Sequence, residues 1–537
     1  MTDTRRKELK DREVCGTRIS HMDSSLWLDD YEVFDQATEQ FYRREIDAKA
    51  YKGISGGFGS YAQRGAEANM LRLRLPGGRI DQKKLKFLAD SIKKYQVNKV
   101  HVTTCQTVQF HNLSGEDVCV LAREAVQNGV ITRGGGGDFP RNTMVSPLSG
   151  VEKGEYFDVL PYALVVSDFL LGYIHGPKMP RKLKVGFSNS PENLTHATYR
   201  DLGFVAREDG CFDVYSAGGL GLNAKIGVRV AEQVKPDQIL YYVEAMHEMF
   251  LTYGNYQNRA KARSRYMQDS LGGPEAYRDA FEEKLKAVYE SGKNLDLVLS
   301  EKERMLFGEK APDGEIPKSK RVIAQKQDGL CAVWYHPVGG CPKPEFFERI
   351  YETVREMDQV ELRIAPDESI YIINCTGKEA ERVLACTGDG AETEFSSSVA
   401  CIGSAICQQG LRDSQAMLRK LVEMEGREGF ADGVLPKIHI SGCPSSCGTH
   451  QTGVVGLRGA GKKVNGEMQI AFQLTYGGCD RQNQEKMGDL LGVLSEDQVL
   501  AFFTELGHEI VKSGMTFEAW CEKNPSRFEE MAYPYTK

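Results

Sequence analysis

Four cysteines in two local pairs carry the strongest chemical signal in this 537-residue sequence. Cys401 and Cys407 stand in CIGSAIC with five residues between them, and Cys443 and Cys447 stand in GCPSSCG with three between. Thiolates paired in this way suit a metal or redox centre, and in a reducing compartment clustered cysteines serve metals more often than disulfides. Zinc is the competing occupant, but structural zinc sites favour pairs two to four residues apart, so the wider spacing points to a [4Fe-4S] cluster. Pro444, Gly442 and Gly448 fit a tight loop whose backbone N–H groups can point at cluster sulfurs.

A second constellation is cationic. Arg72 and Arg74 lie in LRLRLPGG, Arg141 and Asn142 in DFPRN, and Arg181, Lys182 and Lys184 in MPRKLK. On a strand, Lys182 and Lys184 share one face, so two ammonium groups could converge on one anion or on a ligand's carboxylates. A solvated strand face gives the same K-x-K pattern. A third segment, VHVTTCQTVQFHN, is interrupted by Thr103, Thr104, Cys105 and Gln106. Such an interruption can aim polar groups into a pocket; a plain hairpin turn gives the same pattern, and a lone cysteine is more often core filler than a reactive thiol.

Other chemistries are poorly supported. The stretches RGGGGDFPRN, AGGLGLNAK and LRGAGKKVNG contain neither a phosphate-binding G-x-x-x-x-G-K-[ST] loop nor a full G-x-G-x-x-G between strand and helix. A nicotinamide or flavin domain is therefore not expected. None of the ten histidines forms an H-x3-H pair, and no G-x-S-x-G supports a hydrolase. A net charge of −7 gives no basic footprint for nucleic acid. The N-terminal MTDTRRKELKDREV is charged throughout, and no apolar run has the length of a signal peptide or membrane span, so the chain reads as cytoplasmic with no membrane partner.

The elements that must position these residues come from a duplication. A constant shift of 262 residues lays Gly77-Gly78 on Gly339-Gly340, Asn112 on Asn374 and Gly115 on Gly377. Leu85, Leu88 and Ile92 fall on Phe347, Ile350 and Val354 at helical spacing, while Val100, Val102, Val108 and Phe110 fall on Leu362, Ile364, Ile370 and Ile372 at strand spacing. Each copy reads as a strand, a helix and a hairpin. Two such α+β units can join their sheets around a pseudo-twofold axis, with equivalent turns carrying Cys105 and Asp367 near the centre. A fainter echo aligns PRKLKVGFSNS from Pro180 with PKIHISGCPSS from Pro436, each followed by a Gly-Gly pair and a long amphipathic helix. Short αβ segments also resemble one another by chance. Residues 1–58 read as an extended N-terminal arm, helix-prone and then glycine-rich.

On these residues the chain resembles the siroheme-containing, ferredoxin-dependent nitrite and assimilatory sulfite reductases, from about residue 59 to about residue 514. The four cysteines match the family's cysteine signature, residues 70–77 its M-x-R-x-R-x-P-x-G stretch, Arg141-Asn142 its R-N pair, residues 181–184 its R-K-x-K strand and residues 258–266 its Asn- and Arg-rich helix. The resemblance implies duplicated ferredoxin-like halves, at 59–130 and 321–392, and two related α/β domains that bind siroheme and cluster, at 131–320 and 393–537. It implies that Cys447 bridges cluster and siroheme. Arg72, Arg74, Thr103, Thr104, Gln106, Arg141, Asn142, Lys182 and Lys184 would contact siroheme, and Arg141, Lys182, Lys184 and Cys105 would border a small anionic substrate. Electrons would come from a separate low-potential donor such as ferredoxin. Six-electron reduction of nitrite to ammonia is the reading favoured by the GCPSSCGTHQ loop, with sulfite to sulfide as the alternative. Two departures stand out: Cys105 replaces a family arginine in T-[TN]-R-Q, and Ser445 replaces an asparagine of the GCPN loop. The lost arginine leaves a reading of another class, an iron–sulfur electron-transfer or redox-sensing protein without siroheme.

Overall fold

A computed structural model describes residues 25–464 and 466–536; the charged N-terminal segment read above lies outside these residues. Four sheets organise the chain, one of four strands and three of five.

The 262-residue repeat holds at four strands and two helices. Strands Ser60–Ala62, Asn69–Leu73, Lys99–Val102 and Val108–Leu113 recur as Val322–Ala324, Cys331–Tyr335, Glu361–Ile364 and Ile370–Cys375. Helices Gln82–Lys94 and Gly115–Gln127 recur as Glu345–Val354 and Gly377–Cys386. Each copy is thus larger than a strand, a helix and a hairpin: a short leading strand and a closing helix complete it. Local chemistry explains the boundaries. Asp81 caps the helix Gln82–Lys94 by accepting the Lys84 N–H at 2.9 Å, and the helix closes on Lys93 and Lys94 at its negative end. Thr376 and Glu379 cap the helix Gly377–Cys386 reciprocally. Even the strained positions repeat, with Asn112 and Asn374 left-handed at φ 62° and 61° and each taking its backbone N–H to a glutamine, Gln63 or Gln325.

The two copies share one apolar core, which also takes in Trp27, Tyr31, Phe34 and Tyr51. Residues 25–58 are therefore not an extended arm. From Ser25 on they form helices, including Tyr31–Tyr42 and Ala48–Ser55, whose aromatic residues find their apolar partners in the first copy. The joining of sheets is lopsided: Arg79–Ile80 of the first copy pairs with Glu361–Ile364 of the second. At this seam a Cβ on Gly78 would stand 2.4 Å from the Ile364 carbonyl oxygen, and one on Gly340 would stand 2.8 Å from that of Val102. Both glycines have φ +67°. Gly78→Ala combines left-handed strain with a backbone clash and is expected to lower stability by about 2 kcal/mol or more. An unchanged thermal midpoint would show that the seam is not so constrained.

Two further modules have their own cores, one spanning Val145 to Leu299 and one spanning Phe395 to Ala532. Each is a mixed sheet with the same connections: Met144–Val145, Val185–Ser188 and Leu202–Ala206 run parallel, as do Val399–Ala400, Ile438–Ser441 and Val455–Val464, and two antiparallel strands follow. The ladders correct the register of the fainter echo. Val185 pairs with Leu202 as Ile438 pairs with Val455, a shift of 253 residues rather than the 256 read from the prolines. Left-handed Asn193 and His196 then coincide with left-handed Ser446 and Thr449. Lys184 falls on Lys437, while Ser190 and Leu194 fall on Cys443 and Cys447. Similar Pro-Lys starts misled the alignment; hydrogen-bond pairing, which sets the face of every side chain, decides it.

Candidate active site

The polar turn after Lys99–Val102 meets the cysteine loop directly: the Thr104 hydroxyl donates to the Cys447 carbonyl at 2.8 Å. Its neighbours do other work. Thr103 Oγ1 accepts the N–H groups of Cys105 and Thr107 at 3.3 and 3.2 Å and shares a 2.7 Å hydrogen bond with Thr107 Oγ1. It holds the turn closed. Gln106, fully buried at φ 55°, donates to the Val145 and Ile364 carbonyls at 2.7 Å each and accepts the Val145 N–H at 2.9 Å. Its amide ties both ferredoxin-like copies to the first α/β module, so Thr103 and Gln106 support the pocket rather than line it. Cys105 turns the other way, and its Sγ lies 3.2 Å from Lys184 Nζ.

The cations separate into supports and free donors. Arg74, 3% exposed, donates to the Arg133 and Arg141 carbonyls at 2.8 and 3.1 Å and is scaffold. Asn142 Nδ2 reaches the carbonyls of Leu75, Cys105 and Gln106 at 2.9, 3.1 and 3.1 Å, while its buried Oδ1 has no partner. Arg181 is engaged by Asp138 at 3.0 Å. Arg72 donates to the Gly135 carbonyl at 2.6 Å, and Arg141 to those of Gly135 and Gly137 at 2.9 and 2.8 Å, leaving its buried Nε unpaired. Lys182 makes no hydrogen bond or ion pair among the described residues.

Three arginines not singled out from sequence join this group. Arg200 leaves Nη2 buried and unpaired, Arg263 pairs with the buried Asp201 at 3.0 Å but leaves Nε unpaired, and Arg265 leaves Nη1 unpaired. Arg263 and Arg265 lie in the Asn- and Arg-rich stretch, which was the available signal; Arg200 has none in its local sequence. Burial and mutual repulsion show in the ionisation. Burial, then Arg141, Lys184 and Arg263, hold the Lys182 ammonium well below its ordinary pKa. Arg141 is pushed down to about 10, chiefly by burial. Burial raises the Tyr61 phenol, but Arg141 and Arg72 outweigh it and bring it below the ordinary value. Crowded cations whose buried N–H groups lack partners are costly on their own and are stabilised by an anionic ligand.

The four cysteines gather at one end of the last sheet. Cys401 follows strand Val399–Ala400, and Cys443 and Cys447 follow its parallel neighbour Ile438–Ser441, so all three leave the sheet on the same side. The Gly442 N–H donates to Cys401 Sγ at 3.2 Å, and Ser414 Oγ lies 3.1 Å from the same sulfur. From the first copy, Arg64 clamps the Cys407 loop by donating to the Cys407 and Gly410 carbonyls at 3.2 and 2.8 Å. Burial and the neighbouring Cys447 push the Cys401 thiol up to about 12. Burial and the charges of Cys407 and Cys443 raise Cys447, whereas Lys182 and Lys184 lower it. Cys447 thus stands between the other sulfurs and the lysines. Its side chain is exposed.

Among the described residues no three His, Cys, Asp or Glu side chains converge tightly enough for a single metal ion.

Comparison with known proteins agrees with this architecture. Residues 61–128 match the nitrite/sulfite reductase ferredoxin-like half domain, and residues 136–288 match the nitrite and sulphite reductase 4Fe-4S domain. The latter stretch is the lysine-bearing module; the cysteines lie in its structural counterpart. A ferredoxin–nitrite reductase of Synechococcus elongatus is 27% identical over 80% of this chain and 83% of its own length. A ferredoxin-dependent sulfite reductase of Mycolicibacterium paratuberculosis is 25% identical over 76% and 73%. The structure of the Mycobacterium tuberculosis NirA protein shares the fold with a TM-score of 0.75 at 22% identity, covering 92% of this chain and 95% of that one. Two domains of the nitrite and sulfite reductases are thus matched in order within residues 61–288, and the fold is shared with NirA along nearly the whole length, so the chain is similar to the nitrite and sulfite reductases that carry a [4Fe-4S] domain.

Proposed function

We propose that this chain is an oxidoreductase that reduces a small oxyanion by six electrons, nitrite to ammonia being favoured and sulfite to sulfide the alternative. The observation that carries the reading is the group of Arg141 and Arg263, each with an unpaired buried N–H, around Lys182, whose charge in turn reaches Cys447. Cys401, Cys407, Cys443 and Cys447 would ligate a [4Fe-4S] cluster, with Cys447 shared with siroheme, and the residues present fit both groups. Cys401, Cys443 and Cys447 leave the last sheet at one end, and Arg141, Arg263 and Arg265 hold orphaned N–H groups suited to the carboxylates of siroheme. When bound, these groups supply the electron storage and the open iron site that no side chain can provide.

The protein's own residues then bind and protonate. Arg72 and Arg141, held rigid by the Gly135 and Gly137 carbonyls, draw in the anion. Lys182 donates a hydrogen bond, and in turn a proton, to an oxygen of the substrate; its depressed pKa makes it a better acid than a solvated lysine. The absence of a flavin or nicotinamide motif calls for a separate donor, for which ferredoxin, named in the relatives, is the choice.

Purified protein from a siroheme-making host is expected to show siroheme absorption bands over the broad iron–sulfur background. With a reduced low-potential donor, steady-state kcat/KM should be higher for nitrite than for sulfite. A spectrum without siroheme bands would favour an electron-transfer or sensing protein, and a large preference for sulfite would reverse the substrate order.

A further inference from the structure

The two halves of the molecule place an acid–lysine pair at the same position twice. In the second half, Asp367 accepts from Lys437 Nζ at 2.5 Å. The 262-residue repeat lays Asp367 on Cys105, and the strand register lays Lys437 on Lys184. There Lys184 Nζ lies 3.2 Å from Cys105 Sγ. The sulfur stands where the other half has a carboxylate.

Its surroundings support an anion. The charged groups facing it are Lys184, Arg200 and Arg72, and its charge is also felt by Arg141. Arg200 is 7% exposed and has a buried Nη2 without a hydrogen-bond partner. Asp201, the nearby acid, is engaged by Arg263, Ser264 and the Lys184 backbone N–H. Burial alone would raise the Cys105 thiol, but Lys184, Arg200 and Arg72 outweigh it and bring it down to about 6. Lys184 is lowered by burial, with Cys105 acting in the opposite direction. The guanidinium groups stay charged whatever Lys184 does, so the thiolate does not depend on that lysine alone. Filler thiols in this chain go the other way: burial raises Cys331 to about 11 and Cys341 to about 12.

We propose that Cys105 is a thiolate counter-ion built into the anion pocket: it holds Lys184 in place, removes one positive charge from the site, and so makes the site prefer singly charged over doubly charged anions. For its substrate class this rests on the oxyanion-reduction reading above, and it adds a reason for the preference for nitrite, a monoanion. Cys105 is a positioning and specificity residue, not a nucleophile.

Calorimetric titration of the full, cofactor-loaded chain tests this without turnover. Nitrite serves as the monoanion and sulfate as the dianion, both of fixed charge on either side of neutral pH. Cys105→Asp, which copies the other half, is expected to keep the wild-type ratio of affinities. Cys105→Ser is expected to shift that ratio toward sulfate by about ten-fold, the effect of one pK unit of charge interaction. A depressed thiol pKa means that the charge is present above it and lost below, so the wild-type ratio should approach that of Cys105→Ser as pH falls through about 6, while Cys105→Asp holds. A Cys105→Ser ratio equal to wild type, a wild-type ratio indifferent to pH, or no binding of either anion overturns the proposal. If Cys105→Asp fails to fold, the serine and pH comparisons still decide. Missing siroheme bands or absent turnover would instead count against the enzyme reading, which keeps the two failures apart.

Discussion

Cys447→Ser protein is expected to lose turnover entirely, together with the siroheme bands and most of the acid-labile sulfide, while keeping its far-ultraviolet circular dichroism. The reason is position. Cys447 feels both the other thiols and the pocket lysines, and its carbonyl is held by Thr104 from the first ferredoxin-like copy. Removing it would break the link between the two proposed cofactors rather than loosen one ligand among equals. The fold should survive, because the core of this module is built from Phe395, Leu421, Ile438, Leu457, Phe502 and their neighbours, none of which needs the thiol. Retained siroheme with only the cluster lost would place the bridge elsewhere. Electron-transfer activity retained in full would remove Cys447 from the ligand set.

Lys182→Met is expected to lower kcat by roughly 10² to 10³, the usual loss when a preorganised donor to a developing charge is removed. Lys182 differs from every other cation here: Arg72, Arg74, Arg141 and Lys184 each have a protein partner, and Lys182 has none among the described residues. Keeping a half-buried ammonium among Arg141, Lys184 and Arg263 is unfavourable until an anion arrives. The variant should therefore be at least as stable as wild type, a sign opposite to that of a structural lysine. The acid form of Lys182 is present below its depressed pKa and lost above it. The alkaline fall of the wild-type pH–rate profile should accordingly flatten in Lys182→Met. A full rate with an unchanged pH profile would remove the proton-donating role; a loss of stability would make the residue scaffold.

Reading the sequence reached far for reasons that can be stated. The 262-residue repeat was legible because each copy keeps its own local rules: left-handed glycines at Gly77 and Gly339, helix caps at Asp81 and Thr376, and alternation in the strands. The cysteine pairs were legible because each pair sits in one short loop, where spacing is geometry. Where a side chain's partners are distant in sequence, residue type does not show them. Arg74 has the charge of a ligand-binding residue and is engaged by two backbone carbonyls, and Gln106 sits in a polar turn and bonds two strands of other modules. Arg200 carries no local signal, because the Cys105 turn and the Lys184 strand that make it relevant are far away in sequence.

By itself the sequence determined the number and order of the modules, the four thiols and the basic stretches, all properties of segments short enough for spacing to become structure. Only the tertiary structure decided which cations are free, since that is settled by competition among backbone carbonyls brought together in space. It also decided the register of the second repeat, through the parallel pairing of Val185 with Leu202 and of Ile438 with Val455. And it set a lysine against Cys105, as Lys437 is set against Asp367, because charge at a thiol depends on its neighbours, and those neighbours come from four separate parts of the chain.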